Sequence, residues 1–389
     1  LHALITHPDV VPKLNLIPDL SDTSLLLTLF IIPIAVQWWA VWYPGSEPGG
    51  GGYIAQRMLA AKDEENAIGA SLLFNVAHYA LRPWPWIIVA LASIVIYPDL
   101  ASIKTEFPNI KEQYLGDDIA YPAMLTKLGT GWLGLVVASL IAAIMSTLST
   151  HLNWGASYLV NDFYKRFVRP HSSEKHLVAM GRWTTAGLMI LSAIMATTIL
   201  ENATQAFDIL LLSGAGSGAI YLLRWFWWRI NAWTEIVAMA SATIMAFVLV
   251  LFVPDAWLET SLLDAAAVKL LIAVSFTSLV WIATTYLTKP ESMKTLIRFY
   301  EQEQPGGPGW KKVIDAAEKQ GILFSKEQKG WDLPQSLLSV ALGTLGIYAA
   351  LFSTGNFIYG KWAWGLGLMF ISLTSSFLVI RLWNQLKIN

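Results

Sequence analysis

Nine stretches of this 389-residue chain are long and apolar enough to cross a bilayer: 23–45, 68–97, 131–160, 178–199, 205–227, 232–253, 264–287, 336–354 and 362–384. A spanning helix needs about 20 predominantly apolar residues. In hydrocarbon every backbone N–H and C=O must find a partner inside the protein, which leaves helices or a closed barrel. The runs far exceed the roughly 10 residues of a barrel strand and do not alternate, so a barrel is excluded. Only 14% of residues are charged, against about 25% in soluble domains. The expected fold class is all-α, a polytopic transmembrane helical bundle embedded in a lipid bilayer. A formal net charge of −1 gives no reason to expect nucleic acid, and the lack of Cys excludes disulfides and thiolate metal sites.

Basic residues set the expected orientation, because Lys and Arg gather on the cytoplasmic side. With residues 1–22 external, 19 of the 26 Lys and Arg fall on the inner side and five on the outer, while Arg82 and Lys269 lie within spans. The C-terminus is then cytoplasmic and the membrane is the plasma (inner) membrane. The one sizeable polar inner connection is 289–335. Within it "GWKKVIDAAEKQG" has the pattern of a short amphipathic helix for the headgroups, but a plain solvated linker is the expectation. The external stretch 98–130 is either the cover of a vestibule or an ordinary loop.

Three spans carry polar residues that a lipid-facing helix does not need. In the third, Ser139, Ala143, Ser146, Thr150, Asn153 and Ser157 recur at spacings of 4 and 3, with Thr147 at the edge. That spacing puts them on one helical face. Such stripes are ordinary packing glue between membrane helices. They also suit a hard cation, since the Ser146 and Thr147 hydroxyls and the Ala143 carbonyl supply oxygens without net charge. In the second span, Ser71, Asn75, His78 and Arg82 share a face. Ionisable groups at membrane depth mark pathways or buried partners, but Arg82 can also snorkel to the interface. In the fifth, Asp208 lies near the outer end, and "SGAGSG" (213–218) either admits a close backbone neighbour or loosens the helix. Gln37 in the first span is open to both readings.

The first span runs into "PGSEPGGGG" (44–52), which no helix crosses unbroken. Irregular backbone survives at membrane depth only where it lines a cavity. Glu47 would then bind a cationic group, pair with Arg82 or form part of an inner gate; alternatively the segment is a cytoplasmic turn after a complete span. No Walker loop, HExxH or Ser/His/Asp cluster occurs, so an enzyme is not expected.

Two segments resemble the sodium:solute symporter family. "GYIAQRMLAAKDEENA" (52–67) is similar to the family's Gln-Arg-x-Leu-Ala-Ala-Lys stretch after a central span. "AAIMSTLSTHLNWGASYLVNDFYKRFVRP" (142–170) is similar to its Ala-x-x-Ser-Ser/Thr motif with a closing Asp-x-Tyr-Lys. The resemblance implies a leucine-transporter-like inverted-repeat architecture, present in part. Residues 1–22 would be external, 23–227 the second five-helix repeat, 228–288 additional spans, 289–335 a cytoplasmic loop and 336–389 the last spans. The first repeat would be a missing N-terminal half of the same protein. It also implies Na⁺ as coupling ion at Ala143, Ser146 and Thr147, half of a sodium site. Glu47, Gln37, Asn75, His78 and Asp208 are the candidates for binding or gating a small solute. The family's sugar transporters carry aromatic and amide residues where this chain reads "PGSEPGGGG" and "FDILLLSG", which argues against a sugar. The leading expectation is sodium-coupled symport of a small organic solute; the alternatives are a transporter-like sensor or receptor domain, and an uncoupled scaffold or channel.

Overall fold

The computed structural model describes residues 1–41, 58–200, 203–322, 324 and 333–388. Every regular element among them is helical. The principal helices are α1 (Thr23–Ala40), α2 (Glu64–Ile96), α3 (Leu100–Glu106), α4 (Ala120–Leu125), α5 (Thr130–Val168), α6 (Glu174–Thr198), α7 (Ala203–Ser213) and α8 (Gly218–Leu223). They continue with α9 (Ala232–Leu251), α10 (Ala265–Leu287), α11 (Met293–Glu303), α12 (Lys311–Glu318), α13 (Leu333–Ile358) and α14 (Trp362–Ile388). Eight helices among the described residues are long and apolar enough to span a membrane. Eight of the nine expected spans are therefore single helices. The ninth, 205–227, is not: it is broken into α7 and α8.

Helix starts follow side-chain capping. Asp22, Asp63, Asp99, Ser173, Asn231, Asp264 and Ser292 each accept a hydrogen bond from a backbone N–H in the first turn of the helix that follows. Each such cap contributes about 1 kcal/mol. Three spans carry wide turns with bonds five residues back; in α1 the Ile32 N–H donates to Leu27 O and the Trp38 N–H to Pro33 O. In α2, the Arg82 N–H donates to Ala77 O at 3.0 Å, and at the end of α5 the Arg169 N–H donates to Tyr164 O at 2.9 Å. The wide turn in α2 immediately precedes Pro83, which has no N–H and whose ring crowds the carbonyl four residues back. α1 ends sooner than the expected 23–45, at Ala40.

Two compact units emerge: Leu1–Ile88 with Phe207–Asn389, and Val89–Ala206. In the first, α9 presents Ala238, Ala242 and Ala246, all fully buried, one turn apart. Small side chains let α9 and α10 approach closely, the usual device where no hydrophobic force drives helices together in lipid. At one end of that pair the Thr234 and Thr285 hydroxyls bond at 2.9 Å, and Asn231 Nδ2 donates to Thr288 Oγ1 at 3.0 Å. α13 and α14 form a hairpin around Gly360, at φ +75°, closed by Ser353 Oγ donating to Gly365 O at 2.8 Å. The buried Trp84 ring of α2 lies edge-on to Tyr359 and fills the space beside Gly355.

The 289–335 connection departs from the expected solvated linker. Residues 293–318 fold into α11 and α12, whose apolar faces close on a core of Leu296, Ile297, Tyr300, Trp310, Val313 and Ala317. Within "GWKKVIDAAEKQG", residues 311–318 form the helix α12, which turns its apolar face into this core. The pair is fastened to the segment after α8: Trp310 Nε1 donates to Trp225 O at 2.9 Å, and Lys312 Nζ sits 4.6 Å above the Trp228 ring. Gly309 passes so close to Phe226 O that no Cβ fits there.

The second unit contains the 98–130 stretch, α5 and α6. The stretch is ordered rather than loose: Tyr97, Ile103 and Ala123 form its buried core. Lys127 Nζ contacts Glu106 at 2.8 Å. That hydrogen bond holds the Glu106 carboxyl below its ordinary value.

Candidate functional site

The break between α7 and α8 is built from glycine. Gly216 sits at φ +86°, a conformation that costs other L-residues roughly 1–2 kcal/mol. Several of the freed backbone groups find partners beside the break. Gly216 N–H donates to Ala40 O at 2.7 Å, and Trp281 Nε1 donates to Gly216 O at 3.1 Å. Val41 and Ala215 pair as an isolated antiparallel bridge, and the buried Ser217 donates through Oγ to Gly214 O at 2.8 Å. The close-approach reading of "SGAGSG" is seen directly: the helix is interrupted, and another backbone, the end of α1, comes in against it. A Cβ on Gly218 would stand 2.7 Å from Trp39 O. Glu47, in the segment that follows Val41, lies outside the described residues.

Beside this junction is a cavity of about 220 Å³ lined by Gln37, Asp208, Asp255, Asp264 and Lys269 among others. It is smaller than the roughly 300–1,000 Å³ of pockets for drug-sized ligands, which suits a small solute. Lys269, 9% exposed, is held by Asp255 Oδ1 at 2.5 Å. Asp264 is occupied in capping α10, accepting from Ala267 N–H at 2.8 Å. Three carboxyl groups thus face one ammonium, with the Gln37 amide able both to donate and to accept. Of the expected solute residues, Gln37 and Asp208 are brought together here. Sequence reasoning misses the Lys269–Asp255 pair; its signal is a Lys one turn into a span, a short loop after an Asp.

Asn75 and His78 are elsewhere. Asn75 Nδ2 donates to Ser71 O at 2.8 Å, on the wall of a mostly apolar groove of about 750 Å³ between α2 and the α13–α14 hairpin. Arg82 Nη1 donates to His78 Nδ1 at 2.8 Å. Arginine cannot accept, so that ring nitrogen carries no proton. His78 also stacks on Phe74 at 4.8 Å, and Arg82 lies 4.7 Å above the Trp86 ring. These contacts of His78 and Arg82 all lie within one helix.

On α5, every residue from 137 to 149 is exposed. Thr150 Oγ1 donates to Ser146 O at 2.8 Å, and His151 Nδ1 bonds Thr147 O at 2.9 Å. The Ser146 and Thr147 hydroxyls have no hydrogen-bond partner among the described residues. With the Ala143 carbonyl one turn away they offer three neutral oxygens on one face, fewer than the six or more that hard divalent cations take. Among the described residues no group of three His, Cys, Asp or Glu side chains could hold a metal ion.

Known transporters share much of this sequence. The chain is 30% identical over 204 residues to a "Sodium/glucose cotransporter" of Vibrio parahaemolyticus, covering 51% of this chain and 37% of that protein. It is 27% identical over 192 residues to the human "Sodium/myo-inositol cotransporter 2", covering 46% of this chain and 27% of that protein. Over 118 residues it is 34% identical to the "High-affinity proline transporter PutP" of Bacillus subtilis (strain 168), covering 29% and 24%. The matched stretch therefore spans little more than a third, or less, of each relative. The sequence model of the sodium:solute symporter family matches residues 14–249, which takes in α1 to α8 and most of α9. With eight spanning helices and a family match over more than half its length, this chain is an integral membrane protein and belongs to the sodium:solute symporter family.

Proposed function

We propose that this chain is part of a secondary active transporter that couples Na⁺ entry to the uptake of a small organic solute. In this reading residues 23–227 form the second five-helix repeat, and the first repeat is supplied by a further part of the same protein. Ala143 O, Ser146 Oγ and Thr147 Oγ1 are the chain's share of the sodium site. Gln37 and Asp208 face the solute or its gate. The observation that carries the reading is the pair of partnerless hydroxyls on the exposed face of α5, within the family match. Relatives named for glucose, myo-inositol and proline support a small polar solute without selecting one.

The test is uptake by the full-length protein in proteoliposomes, with Na⁺ or K⁺ outside, across sugars, polyols, amino acids and carboxylates. Uptake of one solute that needs inward Na⁺ is expected. Binding without uptake in any gradient would turn the assignment towards a sensor domain. The proposed orientation puts the C-terminus and the basic-rich turn before α6 in the cytoplasm. A Cys at Lys175 should react with an impermeant maleimide only after cells are opened. Labelling of intact cells would reverse the topology.

A further inference from the structure

Arg182 is a guanidinium at the edge of a membrane span with nothing to hold it. It is the ninth residue of α6, about 12 Å along the helix, and no charged residue follows it before Thr198. It is exposed and has no hydrogen-bond, ion-pair or ring partner among the described residues. The next residue, Trp183, is 76% exposed, as belt tryptophans at the headgroup level are. Arg182 thus sits where hydrocarbon meets headgroups.

It also lines a groove of about 680 Å³ between α5 and α6. Asn153 on the opposite wall likewise has no partner among the described residues. Asn161 is engaged with Ser157 Oγ at 3.0 Å, and Glu174 at the rim with Lys165 at 3.4 Å. The α6 wall is apolar on both sides of Arg182, with Leu177 and Val178 before it and, past Thr185, Ala186 and Met189 after it. A cation is a poor occupant beside a guanidinium. An unpaired guanidinium near hydrocarbon calls for an anion, and its planar fork of donors matches phosphate oxygens.

We propose that this groove binds the phosphodiester headgroup of an anionic membrane phospholipid. Arg182 supplies the charged fork, Asn153 an amide N–H, and the Ala186–Met189 wall lodges the start of an acyl chain.

The experiment is native mass spectrometry of the full-length protein in detergent, titrated with phosphatidylglycerol. Wild type should retain the lipid. Arg182→Gln should weaken retention by at least tenfold, Asn153→Ala by about threefold, and Lys175→Gln should leave it unchanged. Asn153→Ala keeps the charge and decides the matter if Arg182→Gln does not fold. Soluble glycerol phosphate should not displace the lipid. No lipid on wild type, equal retention by wild type and both groove variants, or displacement by glycerol phosphate would each overturn the proposal.

Discussion

Gly216→Ala should lower the stability of the transmembrane bundle by about 2–5 kcal/mol. The backbone conformation at φ +86° alone costs an alanine roughly 1–2 kcal/mol. The new methyl would also stand 2.7 Å from Thr277 Cβ and 3.0 Å from Val274 O. Overpacking of this sort costs typically 1–3 kcal/mol. Neither neighbour can retreat, because Thr277 is fully buried and Val274 O is backbone within α10. A control of opposite sign is at hand. Gly187 lies in α6, and a methyl added there would meet nothing within 4 Å, so Gly187→Ala should leave stability unchanged or raise it by up to about 1 kcal/mol. Thermal melting of the full-length protein in detergent measures both. Equal melting of Gly216→Ala and wild type would mean that the break between α7 and α8 is not held by these contacts.

The second large effect is expected at the proposed sodium face. Loss of a hydrogen-bonding group to a charge costs about 1.5–3 kcal/mol, and each 1.4 kcal/mol is tenfold in affinity. Ser146→Ala and Thr147→Ala should therefore each raise the Na⁺ concentration for half-maximal transport about tenfold or more. Ser149→Ala, on the same helix but off that face, should change it less than twofold. Both hydroxyls lack protein partners among the described residues and lie on an exposed surface, so their removal should hardly disturb packing of the second unit. Small, equal shifts from all three variants would return the stripe to a packing role.

What the sequence discloses depends on range. Apolar runs and capping residues are local, and eight spans, five of them begun on an Asp, Asn or Ser cap, follow from them directly. The break in the fifth span is less legible, since glycine is common in membrane helices that stay continuous. What interrupts this one is the incoming α1 end, whose Ala40 carbonyl takes the Gly216 N–H, a partner 176 positions away by subtraction of residue numbers. The α11–α12 pair shows the same limit. Its helical period is visible, but the choice between membrane surface and protein core rests on Trp310 reaching Trp225, 85 residues earlier. At the candidate site, Gln37 and Asp208 could be picked out singly. Their separation from Asn75 and His78 is tertiary, and the α2 contacts of His78 with Phe74 and Arg82 use residues four positions away on either side that also read as a pathway.

The clasp between α12 and the segment after α8 makes the two parts a single lever. Gly309 lies where a Cβ would stand 1.7 Å from Phe226 O, and the Trp310 indole is tied to Trp225 O. Any swing of α8 about the glycine break must carry α11 and α12 through an arc. Glu318 and Lys319 are exposed at the far end of α12. A spin or fluorescent probe placed there would magnify a small rotation inside the membrane into a displacement readable from the aqueous side.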